Sequence, residues 1–572
     1  MFLLSSQLWA ATYYMRADGT ATKAAAIGPC GTVANTMSLA THNAATFSGD
    51  DIIKLCNDGG IFRGQLIPPS SGISGHPITY TKGQTALPTL SGTTIINSGS
   101  WTLDSGSVYK STISWGPFGF EAFEDSTILV KAASRVAMVA GTFFESGTTL
   151  YVWTFDSSSP AGHTIEVAQF SGENSGLIAV VNKNYITIDG LDIQKSNWIG
   201  VYLRTTSHVT VQNSSFEYNY WNAISEDEQA GGADAWLFPN SDNVNILSNT
   251  FANNGQSRLA TNHAQEGVAV QGLGWQTCLI DRNIVDTNLG EGLVVMGGAT
   301  NCTMSNNHVT NNKFASIYVL SGPRGGDVTN STVQYNLVEN VPNSTPAYVI
   351  APEGGFGDNI NGVNFSYNVA NCNNTSAFYA LRFGGSGGTG VWENVKVYNN
   401  TLACPYGIDI VTNGPSGPGN DFENNILAST NFQTFLTSDT ASSNYTIGYE
   451  DIFSPTSASI KWLGTSYTLA NFVVAFPTFF THSVQADPKF TNAADLSLQA
   501  GSPAINSGLN LGSAYQLGLN PASSWPSAIS TVNQNSYGSG WEMGAFVFLT
   551  AAPNAPTNLT GTISLSGGLR LQ

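Results

Sequence analysis

A strand–turn–strand unit recurs through the middle of the chain, and its turn carries an asparagine that returns repeat after repeat. The segments ITIDGLDI, VTVQNSSF, VNILSNTF, CLIDRNIV, CTMSNNHV, STVQYNLV, VNFSYNVA, VKVYNNTL and NDFENNIL each join alternating apolar residues to a sharp polar turn and a second short strand. Aligned on that turn, one column holds Asn249, Asn283, Asn307, Asn336, Asn368, Asn400 and Asn425, in steps of 24 to 34 residues. A coil of three strands with loops of variable length fits those steps. Asparagine suits the column because it tolerates left-handed backbone and its amide can bond to the same amide one coil on. A chain of 572 residues built this way grows by stacking rather than by enlarging one core.

Composition agrees. Charged residues make up 10% of the chain, glycine numbers 60, and no long heptad-like apolar stretch occurs, which describes a β-rich, turn-rich protein. The net charge of −18, with only 20 Lys and Arg, weighs against nucleic acid or an anionic membrane surface as partner. MFLLSSQLWA followed by ATYYMR reads as the apolar core of a secretory signal without its basic start, so residues 1–11 are expected to be a truncated signal peptide; a buried first strand is the alternative. No other segment approaches the roughly 20 apolar residues of a membrane span.

A second strand follows each turn: GVYL at 200–203, GVAV at 267–270, GLVV at 292–295, SIYV at 316–319 and GIDI at 407–410. On this register Cys278 lies over Cys302 and Cys372 over Cys404, and strands about 4.8 Å apart fall within disulfide reach. Cys30 and Cys56 complete the set of disulfide candidates near the N-terminus; six small buried thiols are the alternative.

The asparagine ladder resembles that of pectate lyases and related secreted right-handed parallel β-helix proteins. GDDIIKLCNDGGIFRG at the start, ADPKFTNAADLSLQAGSPAINSG and WEMGAFVF near the end are similar to the opening and closing segments of that superfamily. The resemblance implies an all-β fold of three strands per coil. Residues 12–96 are expected to form a cap and first coils, 97–175 a β-rich insertion beside the helix, 176–430 the central coils, 431–552 the terminal coils and closing segment, and 553–572 a tail. It also implies a secreted or cell-surface protein that meets polysaccharide. It fixes no reaction, because hydrolases, lyases, epimerases, adhesins and filaments share the fold. The spaced aspartates of polygalacturonases are absent, and the Asp-Pro-His of mannuronan epimerases is not matched, since Asp487-Pro488 precedes Lys489.

The repeat itself offers a site. Glu266 in QEGVAV and Glu291 in GEGLVV occupy one column, and two carboxylates at strand spacing repel, so one would hold a proton and act as acid beside a nucleophile. Asp227, Glu228 and Trp236 lie in the long excursion after residue 216, and Arg258 and His263 in the loop before Glu266, where long loops on a stacked scaffold carry function. The expectation is a glycoside hydrolase. A polysaccharide lyase would draw on Arg258, His263, Lys313, Arg324 or the outward Arg382, and a non-catalytic surface, adhesin or filament β-helix is the third reading. Tyr202, Ala269, Val294 and Tyr318 form an outward stripe, either covered by another segment or stacking on sugar rings. No metal-ligand cluster stands out and no cofactor is expected; scattered acids leave Ca2+ open. Oligomeric state is not set by the sequence.

Overall fold

The computed structural model describes residues 10–113, 121–168, 176–226, 240–256, 268–322, 326–342, 345–352, 357–373, 379–384, 390–411, 415–429, 433–440, 442–454 and 459–549. Among them three long sheets run side by side, each adding one strand per coil. Sheet A has thirteen strands, from Thr12–Met15 to Tyr445–Gly448. Sheet B has twelve, from Phe62–Arg63 to Asp451–Phe453, and sheet C twelve, from Gly176–Val181 to Thr465–Tyr467, the last turning back antiparallel on Ile460–Trp462. One coil reads Asn184–Asp189 in A, Asp192–Gln194 in B and Ile199–Arg204 in C before Ser207–Gln212 returns to A. Strands of successive coils pair in parallel, Ile186 with Val209 and Val201 with Ile224.

Alternation decides what each strand buries. Ile186, Ile188, Ile193, Val201, Leu203, Val209, Val211 and Phe216 point into the bore and are fully buried. Aromatic residues repeat the stacking, with Phe216 over Phe251 at 4.9 Å between ring centroids. Truncating such a side chain to alanine would cost about 3–5 kcal/mol.

The corner between A and B is a tight turn whose first residue takes left-handed backbone, φ 55° at Ser248 and 57° at Asn306. The next residue is the ladder asparagine. Its Nδ2 donates to the Oδ1 one coil on, from Asn249 to Asn283 (3.2 Å), Asn283 to Asn307 (2.9 Å), Asn307 to Asn336 (2.9 Å), Asn336 to Asn368 (3.0 Å), Asn368 to Asn400 (3.2 Å) and Asn400 to Asn425 (2.9 Å). The same nitrogen also donates to a backbone carbonyl, Ile280 in the case of Asn307. Every amide in this buried seam is therefore satisfied from both sides. A second ladder, at the corner between B and C, links Asn219, Asn254, Asn288 and Asn312 by bonds of 2.8 to 2.9 Å.

Disulfides join Cys278 to Cys302 and Cys372 to Cys404 across neighbouring coils, with Cα atoms 4.4 and 4.9 Å apart, and Cys30 to Cys56 in the cap at 5.5 Å. Between Thr93 and Ala168 the chain leaves the coils to build a four-stranded and a five-stranded sheet. Glu166 fastens this insertion to the first coils, taking Arg63 and Lys195 at 2.6 Å each.

Beyond the last coil the chain turns back along the A–B corner. Asn371 Nδ2 donates to the Ala493 carbonyl (2.8 Å), Asn424 Nδ2 to Leu509 (2.8 Å) and Tyr335 Oη to Leu517 (2.7 Å). Side chains of the coils, two from turns and Asn371 from a strand of sheet B, thus hold the returning strap. No helix among the described residues is long and apolar enough to cross a membrane. Residues 1–9 and 550–572, with most of the expected signal segment and all of the tail, lie outside the described residues.

Candidate functional site

Sheet C presents one outward column across ten coils: Tyr202, Ser225, Gln271, Val294, Tyr318, Val349, Arg382, Asp409, Leu436 and Lys461. Its character changes along the axis. Tyr202 packs with Trp198, Tyr220 and Trp221 and is fully buried; Val294 and Val349 belong to an apolar cluster with Leu273, Met296 and Leu320, against which the partly buried Tyr318 rests. The stripe is therefore covered over this length. From Arg382 onward it carries charge, at Arg382, Asp409 and Lys461, with the apolar Leu436 between the last two.

There Arg382 Nε lies 3.5 Å from Asp409 Oδ2 on the next coil, with the guanidinium side chain 35% exposed and the carboxyl side chain 10%. Arg382 Cζ lies 5.9 Å from the Tyr379 ring, and the Tyr379 and Tyr406 rings stand 5.1 Å apart. Burial raises the Asp409 carboxyl to about 6, with Arg382 and Lys461 drawing it back down. Burial, reinforced by Asp409, pushes the Tyr379 phenol up to about 12. The arrangement holds a carboxyl that changes charge near neutrality, a cation, and in Tyr379 a phenol that keeps its proton.

The expected glutamate pair meets a different register. Val270 pairs with Leu293 and Gln271 with Val294, so Val268, not Glu266, stands level with Glu291. The motif alignment of GVAV on GLVV was two residues out. Ala269 accordingly sits in the core cluster, and Gln271 takes its place in the outward column, accepting from Asn222 Nδ2 (2.9 Å) and Ser225 Oγ (2.8 Å). Glu291 is described and buried. Glu266, Asp227, Glu228, Trp236, Arg258, His263 and Arg324 lie outside the described residues. His308 Nε2 is 2.9 Å from Glu339 Oε2.

Sequence reading picked out Arg382 and Tyr318 but passed over Asp409 and Tyr379. The signal was present in GIDI, whose Asp409 interrupts an otherwise apolar strand at an outward position.

Residues 95–334 match the family model described as right handed beta helix region. Among solved structures, XylC in complex with xylose is 13% identical, with 73% of this chain and 69% of that one covered and a TM-score of 0.47. Pectate lyase Pel9A is 14% identical over 94% and 96% with a TM-score of 0.40, and the GH136 lacto-N-biosidase from Eubacterium ramulus 13% identical over 79% and 68% with 0.42. No curated protein matches the chain. By the coil architecture of its described residues, in keeping with the match over residues 95–334, the chain folds as a right-handed parallel β-helix.

Proposed function

We propose that this is a secreted carbohydrate-active protein that cleaves a uronate-bearing polysaccharide by elimination on the outer face of sheet C. The observation that carries this reading is the meeting of Arg382, Asp409 and Tyr379 on adjacent coils. Elimination needs three things at once: a cation to neutralise the sugar carboxylate, a base for the adjacent C–H, and an acid for the leaving oxygen. Arg382 supplies the first. Asp409, ionised above about pH 6, takes the proton, and the Tyr379 phenol, still protonated at neutral pH, gives one to the departing oxygen. Lys461, the other cation acting on Asp409, extends the anion-binding track along the coil axis.

Hydrolysis would ask for a second carboxyl about 5–9.5 Å from the first. Glu291 begins four strand steps away from Asp409, about 19 Å at 4.8 Å per step, so these two cannot act as that pair. Three disulfides support export, since they persist in oxidising compartments.

One paired screen tests the proposal: neutral and uronate glycans, read by reducing ends and by the ultraviolet absorbance of unsaturated uronates. Elimination gives both signals on uronate glycans only, with a rate that climbs as pH rises through about 6 while Asp409 ionises. Reducing ends without the absorbance would return the case to hydrolysis at the Glu266 and Glu291 region. Glycan retention without product would favour the non-catalytic reading.

A further inference from the structure

On sheet B, away from the sheet C column, the returning strap closes over three coils without filling the space beneath it. Val309, Val338 and Ala370 fill the bore, so the residues flanking them in His308–Thr310, Leu337–Glu339 and Val369–Asn371 point outward. One outward column runs His308, Leu337, Val369; the other places Glu339 level with Asn371. These five side chains floor a cavity of about 400 Å³. Asp495, Leu496, Trp525 and Phe546 of the strap wall it, and the exposed Ala494 and Ser524 at its rim open it to solvent.

The lining has two halves. Leu337, Val369, Leu496 and Phe546 belong to one apolar cluster, against which Trp525 packs. Trp525 is already fixed: its Nε1 donates to the Tyr335 carbonyl at 2.7 Å, and its ring stands at 88° to that of Phe546, with 6.3 Å between centroids. The polar half is set as firmly. His308 Nε2 lies 2.9 Å from Glu339 Oε2, which holds both side chains and leaves Glu339 Oε1 and His308 Nδ1 without another partner among the described residues. Asp495 Oδ1 accepts from the Ser497 N–H at 3.0 Å, and Asn371 Nδ2 is taken by the Ala493 carbonyl. Hydrogen-bond acceptors therefore predominate here, and among the described residues neither Lys nor Arg lines the cavity.

We propose that this cavity binds a neutral sugar residue of a glycan, stacked on Trp525 with its hydroxyls donating to Glu339 and Asp495, as an anchoring site separate from sheet C. A pyranose ring matches both halves at once, with a face of C–H groups for the indole and a rim of hydroxyl donors for the carboxylates. The volume lies in the range of small-ligand sites, which combine an apolar lining with a few placed polar groups. Charge sets the class. A uronate or phosphate would face Glu339 and Asp495 with no cation to offset them, the reverse of the surroundings that Arg382 and Lys461 create on sheet C. Asn371 and Arg382 belong to one coil, Val369–Asn371 preceding Tyr379–Phe383, so a glycan anchored here is held level with the start of the charged column.

Calorimetric titration of the full-length protein with neutral hexasaccharides of xylose, glucose, mannose and galactose tests this, with trigalacturonate and a glucosamine hexasaccharide as charged competitors. At least one neutral probe should bind saturably, and neither competitor should displace it. Trp525→Ala should weaken that binding about tenfold or more, and Trp525→Phe, which keeps a ring, by less. Glu339→Gln should weaken it about tenfold, with thermal unfolding unchanged. Arg382→Ala should bind the neutral probe as the wild type does, so a failure of elimination on sheet C leaves this site standing. Absence of binding by all four neutral probes, neutral binding that survives both Trp525→Ala and Glu339→Gln, or displacement by either charged competitor would overturn the site.

Discussion

The central coils and the closing end bury polar groups in opposite ways. From Asn249 to Asn425 the buried seam is made of amides, neutral at every pH, each donating and accepting along the stack. At the closing end the seam passes to carboxyls. Asn425 Nδ2 donates not to another amide but to Glu450 Oε1 at 2.9 Å, and Glu423, Asp451 and Glu542 are buried close by in the last coils and the strap. Burial, with Glu423 and Asp421 adding to it, holds the Glu450 carboxyl well above the usual range. Glu423 is pushed up to about 7 by burial and Asp421. Asp451 rises to about 8 through burial and Asp487, against the Ala486 N–H, and Glu542 to about 8 through burial, against backbone N–H groups of its own and of Phe548. The amide seam is thus insensitive to protons, whereas the carboxyls that take over from it at the closing end are sensitive.

The largest effect should come from breaking the amide seam. Asn307→Leu removes the bonds to Asn336 and to the Ile280 carbonyl and strands Asn283, at a cost of about 3 kcal/mol. Hydrogen exchange should rise in the coils on either side, equally at pH 5 and pH 8. A loss that varied with pH would erase the distinction between the two ends.

The carboxyl end carries the opposite signature. Carboxyls raised in the folded state contribute stability that is complete below about pH 4 and is lost as pH climbs through about 7 to 8. Thermal unfolding of the wild type, followed at the strap, should therefore shift downward between pH 5 and pH 8.5. Glu542→Gln should recover a few degrees at pH 8.5 and change little at pH 5. Glu450→Gln, which continues the amide ladder by one rung, should give a smaller gain, about 1 kcal/mol above pH 7. A destabilising outcome at pH 8.5 for both would mean that the carboxylates are held charged.

Much of the coil stack could be read from residues. The column Asn249–Asn425 was visible because each member follows a strand of fixed alternation, and the cysteine register followed from it. The second ladder escaped notice although its members stand five positions after the first at 249/254, 283/288 and 307/312. Aspartate and glutamate at the closing end gave no period to follow. Register in sheet C was harder still. Loop length before Val268 is not constrained by the repeat, so matching glycines in GVAV and GLVV misled by two residues, and core packing of Ala269 and Val270 decided the pairing. Asp409 was opaque for the same reason: it gains its chemistry from partners on other coils.

The central claim, elimination at the charged end of sheet C, is tested most directly by comparing Arg382→Ala, Asp409→Asn and Glu291→Gln on a uronate glycan, with unsaturated product as the readout. Losses of about 100-fold or more are expected in the first two, as for a charge-stabilising group and a general base, and near wild-type rates in the third. Loss confined to Glu291→Gln, with Arg382→Ala and Asp409→Asn active, would contradict it.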